Sequence, residues 1–229
     1  MVSQFKTPLL IINFKNYPES SGAKALELSK IAEKVSKNLS IEIILAPPTS
    51  FISEISHSVN LNVISQHVDS NMVGSTTGYL IPEILLDSGA TGSILNHSEH
   101  RIPLSVIRDS ISRLNDCNMM SIVCAKDSKE ASLLASYSPD FIAIEPPELI
   151  GSGIAVSTAN PEIITESVTS ISKIDPNISV ICGAGIVTGE DVESALALGS
   201  KGILVSSGII KSSNWMEKIT ELSFPITKA

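Results

Sequence analysis

Two residues with acid/base side chains follow short apolar segments of this sequence. Glu145 ends the segment 141–145, and His97 follows the strand-like segment that begins at Ser93. A carboxylate can remove a proton from carbon, and a neutral imidazole can polarise a carbonyl and pass protons between oxygens. We expect a neutral His97 ring because we predict a helix start just after it, and a helix N-terminus disfavours imidazolium. The pair predicts proton transfer at carbon, although either residue alone could be structural.

The segment after Glu145 has the composition of a hinged lid. Pro146 and Pro147 stiffen one end, whereas Gly151 and Gly153 loosen the other. Such a segment can close over a site as a body and shield the reaction from water. We therefore predict a lid over residues 146–153.

Other residues predict a binding site for phosphate. Lys15 and Asn13 follow the first apolar segment. Two turns rich in glycine or serine, 182–186 and 205–209, would let backbone N–H groups approach an anion closely. Glycine also serves ordinary turns, but two such turns after the last two strands of a barrel lie where phosphate is often held.

The elements that must position these residues alternate along the whole chain. Eight short apolar segments, typical of buried parallel strands, occupy residues 9–14, 41–46, 62–66, 93–96, 121–125, 141–145, 180–183 and 202–206. Apolar residues recur with helical spacing between them, for example at Leu28, Ile31 and Val35. The alternation predicts parallel βαβ units, and eight units favour a closed (β/α)8 TIM barrel. No linker divides the chain, so we predict a single domain over residues 1–229.

The composition excludes some functions. There are 16 Lys and Arg against 24 Asp and Glu, a net charge of −8 without a basic run, so we expect no nucleic-acid partner. The apolar stretch 9–12 is too short for a signal or a membrane span, which predicts a cytoplasmic protein without membrane contact. We expect the three cysteines to be reduced and buried. No His or carboxylate spacing predicts a metal site.

Several motifs occur in a characteristic order along nearly the whole chain. They are Asn-Phe-Lys at 13–15, Thr-Thr-Gly at 76–78, Leu-Asn-His-Ser-Glu at 95–99, Ile-Glu-Pro-Pro-Glu-Leu-Ile-Gly at 144–151, and the two phosphate turns. Each motif is weak alone. Together and in this order, they resemble triosephosphate isomerase, and its shorter archaeal-type form in particular.

The resemblance implies an isomerase that interconverts dihydroxyacetone phosphate and D-glyceraldehyde 3-phosphate, without a cofactor or metal. It implies that Glu145 moves the carbon-bound proton while His97 polarises the carbonyl, as in the known pairing of a glutamate base with a neutral histidine. Lys15 would supply positive charge, Asn13 would orient substrate oxygens, and Glu99 would support Lys15. The substrate-binding residues implied are Asn13, Phe14, Lys15, Ile150, Gly151, Gly185, Ser206 and Ser207.

The family also implies an oligomer. Its third loop, here residues 73–79, inserts into a neighbouring subunit and brings a threonine, by match Thr77, towards the lysine and histidine. We therefore expect at least a homodimer, and a homotetramer fits equally well. In the motif after the fourth strand His100 stands where an arginine is commoner in the family, so the supporting contacts of that arginine are not predicted here, although Arg101 follows it.

Two alternatives remain open from the sequence. The first is another phosphate-binding barrel enzyme, either a sugar-phosphate epimerase or an aldolase that forms a Schiff base through Lys126. The second is a barrel that binds a phosphorylated metabolite without catalysis. That alternative explains Lys15 and the glycine turns but gives no role to Glu145 and His97 together.

Overall fold

The computed structural model describes residues 5–149, 151 and 153–229, and its eight strands form one parallel sheet. The strands are β1 (Leu9–Asn13), β2 (Glu42–Ala46), β3 (Asn62–Val63), β4 (Gly92–Leu95), β5 (Met120–Ala125), β6 (Phe141–Ile144), β7 (Ser179–Cys182) and β8 (Gly202–Val205). Nearly every strand residue is buried, because a parallel sheet wrapped by helices is covered on both faces. The predicted fold class is confirmed.

The sheet closes into a barrel between its two outer strands. Its strand order is β3-β2-β1-β8-β7-β6-β5-β4. Beyond β3 the backbone N–H of Ser65 donates to Gly92 O (2.9 Å), and Ile94 N donates back to Ser65 O (2.9 Å). The predicted strand 62–66 is therefore shorter than expected, and an isolated bridge between Ser65 and Ser93 completes the barrel.

Helices follow the strands around the outside. They are α1 (Ala23–Leu39), α2 (Ile52–Ser56), α3 (Pro82–Asp87), α4 (Leu104–Asp116), α5 (Ser128–Ala135), α6 (Val156–Ala159), α7 (Pro161–Ile174), α8 (Gly189–Ala197), α9 (Ser207–Ile210) and α10 (Trp215–Ser223). Short 3-10 turns occupy Pro18–Ser20, Thr49–Phe51, Pro147–Leu149 and Pro225–Lys228. Pro161 starts α7, since a first-turn proline lacks only an N–H that has no helical acceptor.

Alternation along the strands separates two apolar cores. Leu9 and Ile11 belong to a cluster of strand residues inside the barrel, whereas Leu10 and Ile12 belong to the larger cluster between the strands and the helices. Successive strand side chains point to opposite faces, which places every second residue in each cluster. Polar side chains that end a strand are therefore presented at the mouth of a densely packed barrel.

Two further sequence expectations can be compared with the fold. Cys124 and Cys182 are buried and all three cysteines are free, but Cys117 is only half-buried, so the expectation that every cysteine is buried is wrong. Within the described ranges, no helix combines the length and the apolar character needed to cross a membrane.

Candidate active site

A cavity of about 450 Å³ lies at the carboxyl ends of the strands. This end is where the loops that follow the strands of a barrel converge. The cavity brings together residues that the sequence spreads over nearly 200 positions: Lys15, His97, Glu99, Glu145, Gly151, Gly185, Ser206 and Ser207. The structure thus gathers most of the predicted site residues around one space.

Glu145 is the most deeply buried charged residue of this cavity. It directly follows β6, and its backbone N–H donates to Ala125 O (2.8 Å). The residue is only 1% exposed, and its Oε2 atom has no hydrogen-bond partner among the described residues. Burying an unpaired carboxylate oxygen costs free energy, so such an atom in a native cavity calls for a ligand or a chemical role.

His97 faces Glu145 across the cavity. Its Nε2 atom lies 3.6 Å from Glu145 Oε1, which is too far for a direct hydrogen bond. Its Nδ1 atom accepts a hydrogen bond from the backbone N–H of Glu99 (3.2 Å). A nitrogen that accepts carries no proton, so this contact selects the tautomer with the proton on Nε2, directed towards the cavity.

The predicted helix start next to His97 is wrong. A turn follows His97, and α4 begins only at Leu104, after the N-cap residue Pro103. The field of a helix N-terminus therefore does not act on the imidazole as expected. The backbone N–H of Glu99 does act on it, through the hydrogen bond to Nδ1.

Lys15 is held in a rarely populated backbone conformation. Its φ is 47°, in the left-handed region that non-glycine residues seldom adopt. Its N–H donates to Asn13 Oδ1 (2.9 Å), and its carbonyl accepts from Gln66 Nε2 (3.0 Å). The Lys15 Nζ atom forms an ion pair with Glu99 Oε1 at 2.7 Å. Asn13, Gln66 and Glu99 together fix the position of the lysine.

Glu99 links the cation to the imidazole. One oxygen pairs with Lys15, and the other lies 3.7 Å from His97 Nδ1. The Lys15 side chain is 13% exposed, whereas that of Glu99 is 58% exposed. The lysine therefore faces the enclosed part of the cavity, and its counter-charge faces solvent.

Among the described residues, three predicted site residues, Phe14, Thr77 and Asn13, do not line this cavity. The Phe14 side chain is fully buried in the outer core, so the expectation that it contacts substrate is not supported by its placement. Thr77 lies on an exposed loop and contributes nothing to the cavity of its own chain. Ile150 lies outside the described residues. Asn13 is 96% buried and contacts the site through the Lys15 backbone.

The part of the cavity formed by the loops after β7 and β8 can accommodate an anion. Gly185 has a φ of +72°, and a Cβ there would overlap the carbonyl of Ile154, so glycine lets the chain after the lid pack closely. Ser206 Oγ is buried and has no partner among the described residues. Ser207 begins α9, and the first N–H groups of a helix lack intrahelical acceptors. The Ser206 hydroxyl and the first N–H groups of α9 are therefore donors that an anion could use.

Gly183 has a different role from the one predicted for its turn. A Cβ at this position would lie 2.5 Å from Glu145 Cγ and 2.9 Å from Glu145 Oε1, while the Gly183 φ is ordinary. The absence of a side chain at Gly183 therefore makes room for the Glu145 side chain rather than for a bound ligand. Sequence reasoning had no signal for this contact, because the two residues follow different strands and are far apart in the sequence.

We expect Gly183→Ala to lower kcat by about 10²-fold, since the added methyl group must displace Glu145 and a misplacement of about 1 Å has that effect. The backbone conformation is compatible with alanine, so the fold should persist. Steady-state kinetics and thermal unfolding of the variant measure both effects. Gly189→Ala is the matched control, because its added Cβ meets no atom closer than 3.1 Å. Equal kinetics in the two variants would contradict the proposed packing.

Arg101 ties together the ends of two strands below the site. Its Nη1 atom donates to Asn96 O (3.2 Å) and Cys124 O (3.4 Å) and pairs with Glu130 Oε2 (3.2 Å). His100 takes no part in these contacts; it is exposed, and its ring centroid lies 4.3 Å from that of His67. Arg101 therefore supports this region without help from residue 100.

Two buried thiols lie close to the carboxylate. Burial, together with the neighbouring Glu145 charge, raises the pKa of Cys124 well above its usual range. Burial raises the pKa of Cys182 to about 12. Both side chains therefore remain neutral thiols at physiological pH, and neither serves as a nucleophile.

Lys126 lies outside the cavity. It is exposed, and the next residue, Asp127, is the N-cap of α5, where its side chain accepts from Glu130 N (2.7 Å). The amine of Lys126 is therefore exposed to solvent. A Schiff base at this amine would form away from Glu145 and His97, so the geometry disfavours the aldolase alternative.

Comparisons with known proteins agree with this arrangement. The family model described as triosephosphate isomerase matches residues 8–222. The triosephosphate isomerase of Cenarchaeum symbiosum is 46% identical over 95% of this chain and 97% of its own length. The triosephosphate isomerase of Sulfurisphaera tokodaii is 46% identical over 94% of this chain and 93% of its own length. That of Methanocaldococcus jannaschii is 44% identical over 93% of this chain and 98% of its own length. These similarities extend over the whole barrel.

Proposed function

Because the chain belongs to the triosephosphate isomerase family, we propose that it interconverts dihydroxyacetone phosphate and D-glyceraldehyde 3-phosphate, a step of glycolysis and gluconeogenesis. The observation that carries this proposal is the buried Oε2 atom of Glu145, which no described residue contacts by a hydrogen bond, in a cavity shared with His97 and Lys15. A carboxylate base, a ring N–H and a cation are the groups that an aldose-ketose isomerisation requires.

Glu145 acts as the base. Its carboxylate removes a proton from the hydroxymethyl carbon of dihydroxyacetone phosphate and returns it to the neighbouring carbon, so the proton count is unchanged after one turnover. Between these steps the substrate is an enediolate, whose negative charge must be stabilised. The 3.6 Å gap between Glu145 Oε1 and His97 Nε2 leaves the imidazole free to bond to a substrate oxygen instead of to the base.

His97 and Lys15 stabilise the enediolate. The Nε2–H group of His97 donates to the oxygen that gains charge and passes protons between the two substrate oxygens. The Lys15 ammonium adds positive charge, and Glu99 keeps it in place through the 2.7 Å ion pair. Fixed donors of this kind act without reorganising when charge develops. Asn13 contributes by holding the strained Lys15 backbone, a role more indirect than contact with substrate oxygens.

The phosphate group of the substrate binds at the loops that follow β6, β7 and β8. Gly151, Gly185, Ser206 and Ser207 of these loops line the cavity, and Ile150 joins them by the family match alone. Residues 146–153 close over the substrate as a lid. The ordered turn Pro147–Leu149 and the buried Leu149 side chain indicate that its first half packs as a unit. No cofactor or metal ion has a part in this scheme.

The protein functions at least as a homodimer, and a homotetramer is equally compatible with the chain. A second cavity, of about 550 Å³, opens beside Lys15, His97 and Glu99. Met72, Val73 and Tyr79, on the loop that carries Thr77, are 64%, 57% and 52% exposed. An apolar loop of one subunit inserted into this cavity of the other would bury these side chains and bring Thr77 towards Lys15.

We expect the purified chain to sediment as a dimer or larger assembly. Replacing Met72 and Val73 together by Asp should shift it towards monomer and lower its activity, because charges do not enter an apolar interface. Analytical ultracentrifugation with parallel assays makes the measurement. Ile174→Asp, at a residue 48% exposed on α7, is the control. A fully active monomer would contradict the role given to the loop.

The remaining predictions complete the proposal. Residues 1–229 act as one domain, which the single sheet through all eight strands supports. The protein acts in the cytoplasm, where its three free cysteines remain reduced. Its partners are a phosphorylated triose and other copies of itself, and neither nucleic acid nor membrane is a partner.

A coupled assay tests the activity directly. Purified protein is mixed with glyceraldehyde 3-phosphate, and dihydroxyacetone phosphate is measured through its reduction by a dehydrogenase that consumes NADH. Turnover far above that of Glu145→Gln supports isomerisation. Binding of glyceraldehyde 3-phosphate without turnover would favour the non-catalytic alternative, and borohydride trapping of an adduct at Lys126 would favour the aldolase.

A further inference from the structure

Lys211 lines the same cavity as Lys15, on the side of the phosphate turns. It directly follows α9, whose first residue is Ser207. Its Nζ atom lies 5.0 Å from the centroid of the Tyr17 ring, and Tyr17 also lines the cavity. An ammonium at this distance from an aromatic ring is attracted by the ring's negative face, which holds the flexible side chain over the mouth of the cavity.

The charge of Lys211 is not offset by a carboxylate. The ion pairs of the described residues include Lys15 with Glu99 at 2.7 Å, and none of them involves Lys211. A cation–π contact leaves the full positive charge available to an anion. Lys211 therefore differs from Lys15, whose charge is partly balanced before any ligand binds.

The charge balance of the cavity makes Lys211 important for an anionic ligand. The groups that can carry charge around it are Lys15, His97, Glu99, Glu145, Lys211 and Tyr17. Two lysines face two carboxylates, so without Lys211 the ionised groups would be net negative, in a protein whose formal charge is already −8. A phosphate dianion approaching this surface would then be repelled over the range of a Debye length.

We propose that Lys211, held by the Tyr17 ring, is a second cation for the phosphate group of the substrate and determines how efficiently the anion is captured. The proposal rests on the proposed function, because it takes the substrate to be a phosphorylated triose. Lys211 acts on binding and encounter, whereas Lys15 also acts on the charge that develops during the reaction. The expected signature is a change in kcat/KM with little change in kcat.

The test compares Lys211→Met, Tyr17→Leu and Lys211→Arg with a matched control, Lys201→Met. Lys201 is an exposed lysine immediately before β8, at the opposite end of the barrel, so its loss changes the net charge equally without touching the cavity. For each protein, kcat/KM for glyceraldehyde 3-phosphate and the inhibition constant of inorganic phosphate are measured at ionic strengths of about 0.01 M and about 1 M.

Lys211→Met should lower kcat/KM about 3- to 10-fold at low ionic strength and weaken inhibition by phosphate by a similar factor. At high ionic strength the loss should fall below about twofold, since salt screens the attraction. Lys211→Arg should restore the wild-type values, and Tyr17→Leu should give an intermediate loss. If Lys211→Met matched Lys201→Met at both ionic strengths, or if it lowered kcat and kcat/KM equally, the proposal would be overturned.

Failure of the proposed function would be recognised separately. If the wild-type protein did not isomerise glyceraldehyde 3-phosphate, the activity assigned above would be wrong. Binding of inorganic phosphate to wild type and to Lys211→Met, followed by phosphorus NMR titration, would then still decide the role of the lysine. Weaker phosphate binding by Lys211→Met than by wild type supports the role of Lys211, and equal binding by the two proteins refutes it.

Discussion

Replacing Glu145 by Gln should lower kcat by about 10³- to 10⁴-fold, in the upper part of the range that general acid–base catalysis supplies. The amide has nearly the volume of the carboxylate and fits the space that Gly183 leaves, where Glu145 Oε1 lies 2.9 Å from the position of an added Cβ. It cannot accept the proton from carbon. The coupled assay in both directions, with substrate binding measured in parallel, separates a lost base from a lost site.

Stability gives an independent readout for the same variant. Glu145 is 1% exposed, and its Oε2 has no hydrogen-bond partner in the described part of the chain, so the native state bears the cost of burying that atom. A neutral side chain removes the buried charge, and we expect the free energy of unfolding to stay equal or increase. Glu148→Gln is the matched control, because it makes the same chemical change at an exposed lid residue three positions later. Retention of more than a tenth of wild-type kcat in Glu145→Gln would rule out Glu145 as the base.

The strands could be predicted from sequence because buried parallel strands are continuous apolar runs. The segment 121–125, for instance, corresponds to β5 at Met120–Ala125. The prediction of a strand over 62–66 was less accurate, since Ser65 pairs with the next strand only through an isolated bridge. Alternation also explains Phe14: residues 10, 12 and 14 face the outer core, so the motif Asn13-Phe14-Lys15 directs only its first and third members to the mouth.

The environment of His97 shows where local patterns mislead. Ser98 and Glu99 have the composition of a helix start, but Pro103 lies five residues after Ser98 and disfavours helical conformation in Ile102 before it. The helix therefore begins at Leu104. The contact that selects the imidazole tautomer is instead a backbone hydrogen bond within the turn, and sequence spacing carries no signal for its direction.

Contacts between segments that lie far apart along the chain also could not be predicted from the sequence. Gly183 could be recognised as part of a turn, but only the barrel geometry shows that it faces Glu145. Lys211 lies four residues after Ser207, a helical spacing that places the two residues on one face, so a signal for it did exist. Tyr17 had none, because its contact with Lys211 joins the first and last loops of the barrel mouth.

Lys15→Ala should lower kcat/KM by about 10²- to 10³-fold, the magnitude expected when one preorganised stabilising group is removed. Both KM and kcat should change, because the ammonium acts on the bound phosphorylated substrate and on the enediolate. Loss of the cation also leaves Glu99 as an unbalanced negative charge, with one oxygen 3.7 Å from His97 Nδ1. Steady-state kinetics with glyceraldehyde 3-phosphate measure the effect, and Lys15→Ala/Glu99→Gln shows how much of it comes from that charge.

The backbone of Lys15 requires its own control. Its φ of 47° is strained for alanine as well as for lysine, whereas glycine adopts it freely. Lys15→Gly therefore removes the ammonium without adding strain. If both variants lose the same activity, the missing charge is responsible; if glycine restores activity, the loss in alanine came from a displaced backbone. Catalytic efficiency unchanged in both would mean that the anion binds elsewhere, since the 2.7 Å pair with Glu99 would then serve only to hold the loop.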